Sequence, residues 1–287
     1  MRAVLSAIAR HLDWWTPNAT PLGRVFLLLF LASTPLSVLA VYGLGGERRS
    51  WALINGYGFA IGYSGVVLAP LLLPRRAASG AAPTLSTRLD AAVRAWIVVP
   101  SCFTQITFQP LHSLLPGWLS THRGSVAEWP FFSYGLSDAR WDSYDAPGAY
   151  STPGLAREVL LINMNDAALG FLVLLAYACE RRAARAAAET RGARRATGAA
   201  PAAGPTVLLV LCVVFRDATL LRETVEYMLE HHWNGYPHTV DDPALRPHAL
   251  AVLWLVNWMW LVLPLLSPVW GWQQLHALVR GGVTKRG

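Results

Sequence analysis

Six long apolar segments dominate the sequence and limit what it can fold into. They cover residues 23–45, 51–74, 92–117, 155–179, 205–231 and 248–273. About 20 helical residues cross the roughly 30 Å hydrocarbon core of a bilayer. Backbone groups inside that core must bond to one another, so only helices and closed barrels can span it. The sequence therefore predicts an all-α integral membrane protein with six transmembrane helices.

Composition and motifs exclude several other classes. Hydrophobic residues make up 54% of the chain and charged residues 14%, and the net charge of +7 lies in short basic runs beside the apolar segments. We therefore expect the lipid bilayer as a partner and no nucleic acid. Cys102, Cys179 and Cys212 form no CxxC or Cys/His cluster, so no disulfide framework and no metal site are expected. Without a P-loop, GxSxG, HExxH or GxGxxG, we also expect no cofactor.

The basic residues predict an orientation. They precede the first segment, separate the second from the third, form RRAARAAAETRGARR after the fourth and close the chain, whereas the third and fifth connections are relatively acidic. Positive residues concentrate on the cytosolic side of membrane proteins. Both termini are therefore predicted to be cytosolic, although Glu47, Arg48 and Arg49 in the first connection run against the pattern.

The regions between the segments differ in character. Residues 1–22 are interpreted as a cytosolic or interfacial N-terminus, and 281–287 as a cytosolic tail. The aromatic stretch 118–154 is predicted to pack as a cap over the luminal mouth of the bundle. The Ala/Arg-rich stretch 181–204 is predicted to be a cytosolic linker.

Polar side chains inside the segments carry the strongest functional signal, because they are costly in lipid. The third segment holds Gln105 and Gln109 on one helical face, with His112 close by and Pro110 predicted to kink the helix. The fourth contributes Asn163, Asn165 and Asp166. Interhelical hydrogen bonding is the alternative explanation for the amides.

Two later segments add acids and aromatic rings. In the fifth, Asp217 and Glu223 are candidates to reach a cavity, while Arg222, Glu226 and Glu230 have the spacing of an ion-paired face. The sixth carries Asn257 among mid-segment tryptophans, with Trp254 and Trp258 on one face and Asn257 and Trp260 on another. Such an aromatic wall suits a polycyclic or polyprenyl ligand that develops positive charge.

The last third of the chain resembles the emopamil-binding protein family, the membrane sterol Δ8-Δ7 isomerases grouped with related proteins as the EXPERA domain. The resemblance is carried by YMLEHHWNGY at 227–236, Pro247-His248, and VNWMWLVLP at 256–264. It extends over about 50–280 and implies a five-helix bundle with the segment 23–45 as an additional N-terminal helix. It also implies the endoplasmic reticulum membrane and a lipophilic terpenoid or sterol ligand, and a homodimer stays open.

The resemblance also exposes a departure from the family. The isomerases carry a histidine and, four residues later, a glutamate where this chain has Gln105 and Gln109, and glutamine cannot act as a general acid or base near neutral pH. The third-helix glutamate of the family falls near Asn165, beside Asp166. Asn257 and Trp260 match the family's pocket residues.

Three functions follow from the resemblance and its departure. The first is a cyclase that protonates an epoxide or alkene of a prenylated substrate, as some fungal meroterpenoid members resembling this family do. The second is a sterol isomerase with relocated proton groups, and the third a non-catalytic sterol-binding protein. The predicted catalytic acids are Asp166, Glu223 and Asp217. The predicted substrate-binding residues are Gln105, Gln109, His112, Asn163, Asn165, Tyr227, Asn257, Trp254 and Trp260.

Overall fold

The computed structural model describes residues 21–72, 82–114, 118, 121–122, 124–141, 153–189 and 203–283, and it contains no strand within these ranges. Seven helices are used below: α1 (Pro21–Val38), α2 (Arg48–Leu72), α3 (Leu85–Val99), α4 (Trp129–Gly135), α5 (Pro153–Glu189), α6 (Gly204–Trp233) and α7 (Arg246–Val283). A π-helix, Leu39–Gly43, continues α1. A second π-helix, Pro100–Phe108, and the α-helical turn Gln109–Leu114 continue α3.

Within the described residues, six helices are long and apolar enough to cross a membrane, which confirms the predicted all-α membrane fold. Their spans are Pro21–Gly43, Arg48–Leu72, Leu85–Leu114, Leu161–Ala187, Gly204–Trp233 and Arg246–Arg280. The short helix α4 lies outside these spans, in the connection between the third and the fourth.

The third span starts seven residues earlier than predicted. The Thr84 side chain accepts a hydrogen bond from the Thr87 backbone N–H at 3.2 Å and so caps the first turn of α3. The first two turns of α3 are amphipathic: Leu89 and Ala92 are buried, whereas Ser86 and Thr87 are exposed. A hydropathy pattern alone therefore placed the helix start too late.

The predicted linker 181–204 begins inside a helix, because α5 continues to Glu189. Alanine and arginine both have high helix propensity, so the Ala/Arg run extends the span. The rest of the predicted linker, 190–202, lies outside the described residues. The same holds for 1–20, for 284–287 and for 142–152 of the predicted cap.

Glycines on α2 set the distance between the first two helices. An added Cβ on Gly62 would lie 2.6 Å from the Phe30 backbone nitrogen, and one on Gly65 would lie 2.1 Å from the Phe26 ring. Small residues on a helix face let a neighbouring membrane helix approach closely. Helix α1, the predicted additional helix, therefore packs along α2 with its backbone in near contact.

A polar cluster fastens the bundle at the end opposite α4. The Arg94 guanidinium donates to both oxygens of Glu180 at 3.1 Å and to Asp90 at 3.0 Å. Asp90 Oδ1 also accepts from Trp270 Nε1 at 2.9 Å and from Gln274 Nε2 at 3.1 Å. These bonds join α3, α5 and α7. The charged side chains of Arg94, Glu180 and Asp90 therefore hold helices together.

Candidate functional site

A cavity of about 510 Å³ lies within the bundle, lined by residues of α2, of α4 to α7 and of the helical segments that continue α3. This volume falls within the roughly 300–1,000 Å³ typical of small-molecule sites. The aromatic residues in its wall are Phe59, Tyr63, Phe108, Tyr134, Trp141, Tyr227 and Trp260, and the amides and acids facing it include Asn55, Gln109, Asn163, Asp166, Glu223 and Asn257.

The aromatic wall is held by ring-on-ring packing. The Tyr63 ring stacks on Phe59 with centroids 5.7 Å apart and on Trp260 at 6.3 Å. Behind them, the fully buried Trp96 meets Trp260 edge-on at 4.8 Å. These geometries are favourable for aromatic pairs, so the rings are held in fixed positions beside the cavity.

Two carboxyl groups meet on the other side of the cavity. Asp166 on α5 is 4% exposed, and its Oδ2 accepts a hydrogen bond of 2.7 Å from Gln109 Nε2. Glu223 on α6 lies within hydrogen-bonding reach of Asp166. Its Oε1 accepts from Asn165 Nδ2 at 3.2 Å. Helices α3, α5 and α6 thus bring Gln109, Asp166 and Glu223 together.

The arrangement of these two carboxyls is satisfied when one of them carries a proton. Asp166 Oδ1 and Glu223 Oε2 are both buried, and neither accepts a hydrogen bond from another described residue. An ionised carboxylate is only an acceptor, so two carboxyls can hydrogen-bond to each other only when one is protonated. One proton shared between Asp166 and Glu223 would satisfy both oxygens. We call these two residues the acid pair.

A second set of hydrogen-bonded polar side chains lies at the part of the cavity nearer to α4. Asn257 Nδ2 donates to the Tyr134 hydroxyl at 2.8 Å, and that hydroxyl lies 3.4 Å from the Tyr227 hydroxyl. Tyr227 in turn donates to Asp138 Oδ2 at 2.5 Å, and His231 Nε2 lies 3.0 Å from the same oxygen. We call Tyr134, Tyr227, Asp138 and His231 the tyrosine chain.

The cavity reaches the outer surface beside α6. Arg222 and Glu226 line it, yet their side chains are largely exposed and form an ion pair of 3.2 Å. This pair confirms the ion-paired face that the spacing predicted.

Seven of the predicted site residues line the cavity, and an eighth touches one of them. Asn165 does not line it but donates to Glu223. The seven in the lining are Gln109, Asn163, Asp166, Glu223, Tyr227, Asn257 and Trp260.

Asp217, predicted as a catalytic acid, is not among the described residues that line the cavity. It is fully buried behind the wall, where its Oδ1 accepts from the Arg216 guanidinium at 2.8 Å and from Trp96 Nε1 at 3.2 Å. Arg216 also donates to the Ser101 hydroxyl at 2.9 Å. Asp217 thus serves as the counter-ion of an arginine buried in the membrane, a pairing that such a charge requires.

Three predicted binding residues also lie outside the lining. Gln105 is packed against Gly170 and accepts from Ser101 at 3.3 Å. The buried His112 ring stacks on Phe131 at 5.5 Å. Trp254 is 43% exposed and donates to the Tyr236 hydroxyl at 3.3 Å.

Several residues of the cavity wall and of the tyrosine chain were missed from the sequence. Asn55 and Tyr63 lie on α2, and Tyr134 and Asp138 lie in the region of α4. Asn55 carried a usable signal, because it is a polar residue within an apolar span. Asp138 had none, since one acid in a connection has no pattern that distinguishes it from a solvated residue.

Comparison of the chain with family models, with curated proteins and with solved structures gave no match. The fold and the cavity define a multi-pass α-helical membrane protein with a carboxyl pair and several aromatic rings in one cavity lining.

Proposed function

We propose that the chain is a membrane terpenoid cyclase that protonates an epoxide or alkene of a prenylated aromatic substrate. The observation that carries the proposal is the acid pair: two adjoining carboxyls on a cavity wall, arranged so that one holds a proton. The resemblance of residues 227–264 to the emopamil-binding protein family supports a lipophilic substrate of this class.

The chemistry needs few groups. A proton moves from the acid pair to the epoxide oxygen. The bond between that oxygen and the more substituted epoxide carbon then breaks, and the chain alkenes attack in turn to form rings. The last cation loses a C–H proton and becomes an alkene, so the product has the mass of the substrate. Gln109, which donates to Asp166, orients the acid, and Asn257 is placed to bind a polar substituent.

The aromatic wall serves the cationic stage. Ring faces attract positive charge, by about 0.5–2 kcal/mol for each well-placed ring. Tyr63 and Trp260 both line the cavity that holds the acid pair. The apolar residues between them, such as Val252 and Leu220, keep water away from an intermediate that water would capture.

Sterol isomerisation is the second candidate, favoured by the contact between the two carboxyls. Moving a double bond requires a proton on one carbon and the loss of a proton from another. Asp166 and Glu223 could divide these two tasks although Gln105 and Gln109 cannot perform them. Rescue of a yeast strain that lacks sterol isomerase would support this candidate, and failure despite good expression would count against it.

The test of the cyclase is turnover of a defined probe. The purified full-length protein in lipid nanodiscs is incubated with a phenol that carries a terminally epoxidised farnesyl chain. We expect a product of unchanged mass that has lost its epoxide and chain alkene signals. Absence of cyclic product from any prenyl epoxide or alkene would refute the cyclase, and tight sterol binding without turnover would favour a binding protein.

A further inference from the structure

The tyrosine chain is not explained by the acid pair. Its first two members, Tyr134 and Tyr227, line the cavity, whereas Asp138 and His231 are 0% and 1% exposed behind them. The Tyr227–Asp138 bond of 2.5 Å lies at the short end for O–H···O contacts, as in bonds between a hydroxyl and an ionised acceptor. A cavity hydroxyl is therefore connected directly to a buried carboxylate.

A purely structural role does not require this connection. The segment that holds Asp138 is already tied to the loop after α6 by backbone bonds: Val240 N–H donates to Leu136 O at 3.0 Å, and Ala139 N–H donates to His238 O at 2.8 Å. Burying a carboxylate costs free energy unless it is well paired. Asp138 thus adds a costly group where hydrogen bonds already hold the chain.

We propose that Tyr227 is the base that ends the cyclisation, with Asp138 as the acceptor of its proton; this assignment rests on the proposed function. As the C–H bond next to the final cationic carbon breaks, its electron pair forms the product alkene and its proton goes to Tyr227 Oη. The original hydroxyl proton of Tyr227 moves to Asp138 Oδ2. His231 holds that oxygen in place, and water that enters after product release returns the proton to the acid pair.

The position of Tyr227 fits a separate acceptor. Tyr227 follows Glu223 by four residues, so both side chains lie on one face of α6, about 6 Å apart along its axis. The proton is supplied at one level of the cavity and removed one helical turn closer to α4. A cyclising chain begins and ends its reaction at different atoms, so two separated groups suit it better than one.

The experiment measures the ratio between products that end in an alkene and products formed by water capture. The epoxyfarnesyl phenol probe is turned over by the wild type and by Tyr227→Phe and Asp138→Asn variants in nanodiscs. Cyclic alkenes, which carry one new hydroxyl from the opened epoxide, are separated from the products of water capture, which carry two. We expect both variants to open the epoxide while the ratio of alkene to water-capture product falls at least about tenfold. Tyr57→Phe is the matched control, because it removes a hydroxyl 3.3 Å from His248 Nδ1 outside the cavity, and its ratio should equal that of the wild type.

The outcomes separate this assignment from the proposed function. Wild-type turnover with an unchanged product ratio in Tyr227→Phe overturns the assignment alone, and so does slower turnover with the same ratio, which would mark a structural role. No cyclisation by the wild type overturns both. If Asp138→Asn does not fold, Tyr227→Phe decides by itself, since it removes one oxygen and keeps the ring.

Discussion

The two glutamines of the third span lie four residues apart but occupy different environments. Gln109 donates to Asp166 at the cavity, whereas Gln105 is packed against Gly170 behind the wall. Both had been predicted to share a face. The chain between them is largely a π-helix, in which bonds run from i to i+5 and residues four apart are no longer aligned as in an α-helix. Pro110 follows directly, and because it lacks an N–H it cannot continue the ladder of bonds.

Glu47 should stabilise the start of α2 in a pH-dependent way. Hydrogen bonds from Ser50 and from the Arg49 backbone lower the pKa of its carboxyl below its ordinary value of 4.5. A lowered pKa in the folded state means that the stabilisation is present above about pH 4.5 and is lost as the pH falls through the folded value. We expect Glu47→Ala to reduce stability by about 1 kcal/mol at pH 7.

The measurement is the melting temperature of wild type and Glu47→Ala in detergent between pH 7 and pH 3. The difference between the two proteins should shrink as the pH falls. A difference that stays constant over this range would show that the carboxylate charge has no part in capping α2.

At the scale of helices, α1 does more than add a sixth span. Its Thr34 hydroxyl donates to Asn55 Oδ1 at 3.1 Å, and its Phe30 ring packs 4.8 Å from Phe59. Asn55 and Phe59 both line the cavity. Helix α1 therefore supports one cavity wall from behind, although none of its own residues is part of the described lining.

The α1–α2 contact predicts a sharp difference between two glycine substitutions. In Gly62→Ala the new Cβ would lie 2.6 Å from a backbone nitrogen of α1, so the two helices must separate. We expect a loss of about 1–3 kcal/mol. Gly204→Ala is the control, since a Cβ there would meet nothing within 4 Å. Thermal unfolding of both variants in the same detergent would check this, and a Gly62→Ala protein as stable as the wild type would contradict the close packing.

At the scale of the whole molecule, hydropathy and length predicted the six spans. They did not predict which spans pack against one another. The site was predicted less completely, for a geometric reason. Glu223 and Asp217 lie six residues apart on one α-helix, so they face directions about 120° apart. The sequence cannot say which direction holds the cavity, because Trp96, which bonds to Asp217, and Asp166, which lies beside Glu223, come from distant parts of the chain. Helix packing decided that Glu223 joins the cavity and Asp217 does not.

We propose that both termini are cytosolic in the endoplasmic reticulum membrane, on the charge distribution of the connections. The six candidate spans found in the described residues would place Pro21 and Arg280 on the same side of the membrane. An N-glycosylation acceptor inserted between α6 and α7, after Asp242, should be modified in microsomes, whereas the same insertion between α5 and α6 should not. The opposite pattern, measured by a mobility shift that endoglycosidase removes, would invert the orientation.

The central claim is that the acid pair supplies the proton. The most direct measurement is turnover of the epoxyfarnesyl phenol probe by Asp166→Asn and Glu223→Gln variants that elute and melt like the wild type. Asp241→Asn, at a side chain 99% exposed outside the cavity, is the matched control. We expect each cavity variant to lose at least about 10²-fold in rate and the control to keep the wild-type rate. Cyclisation by Asp166→Asn at the wild-type rate would contradict the account.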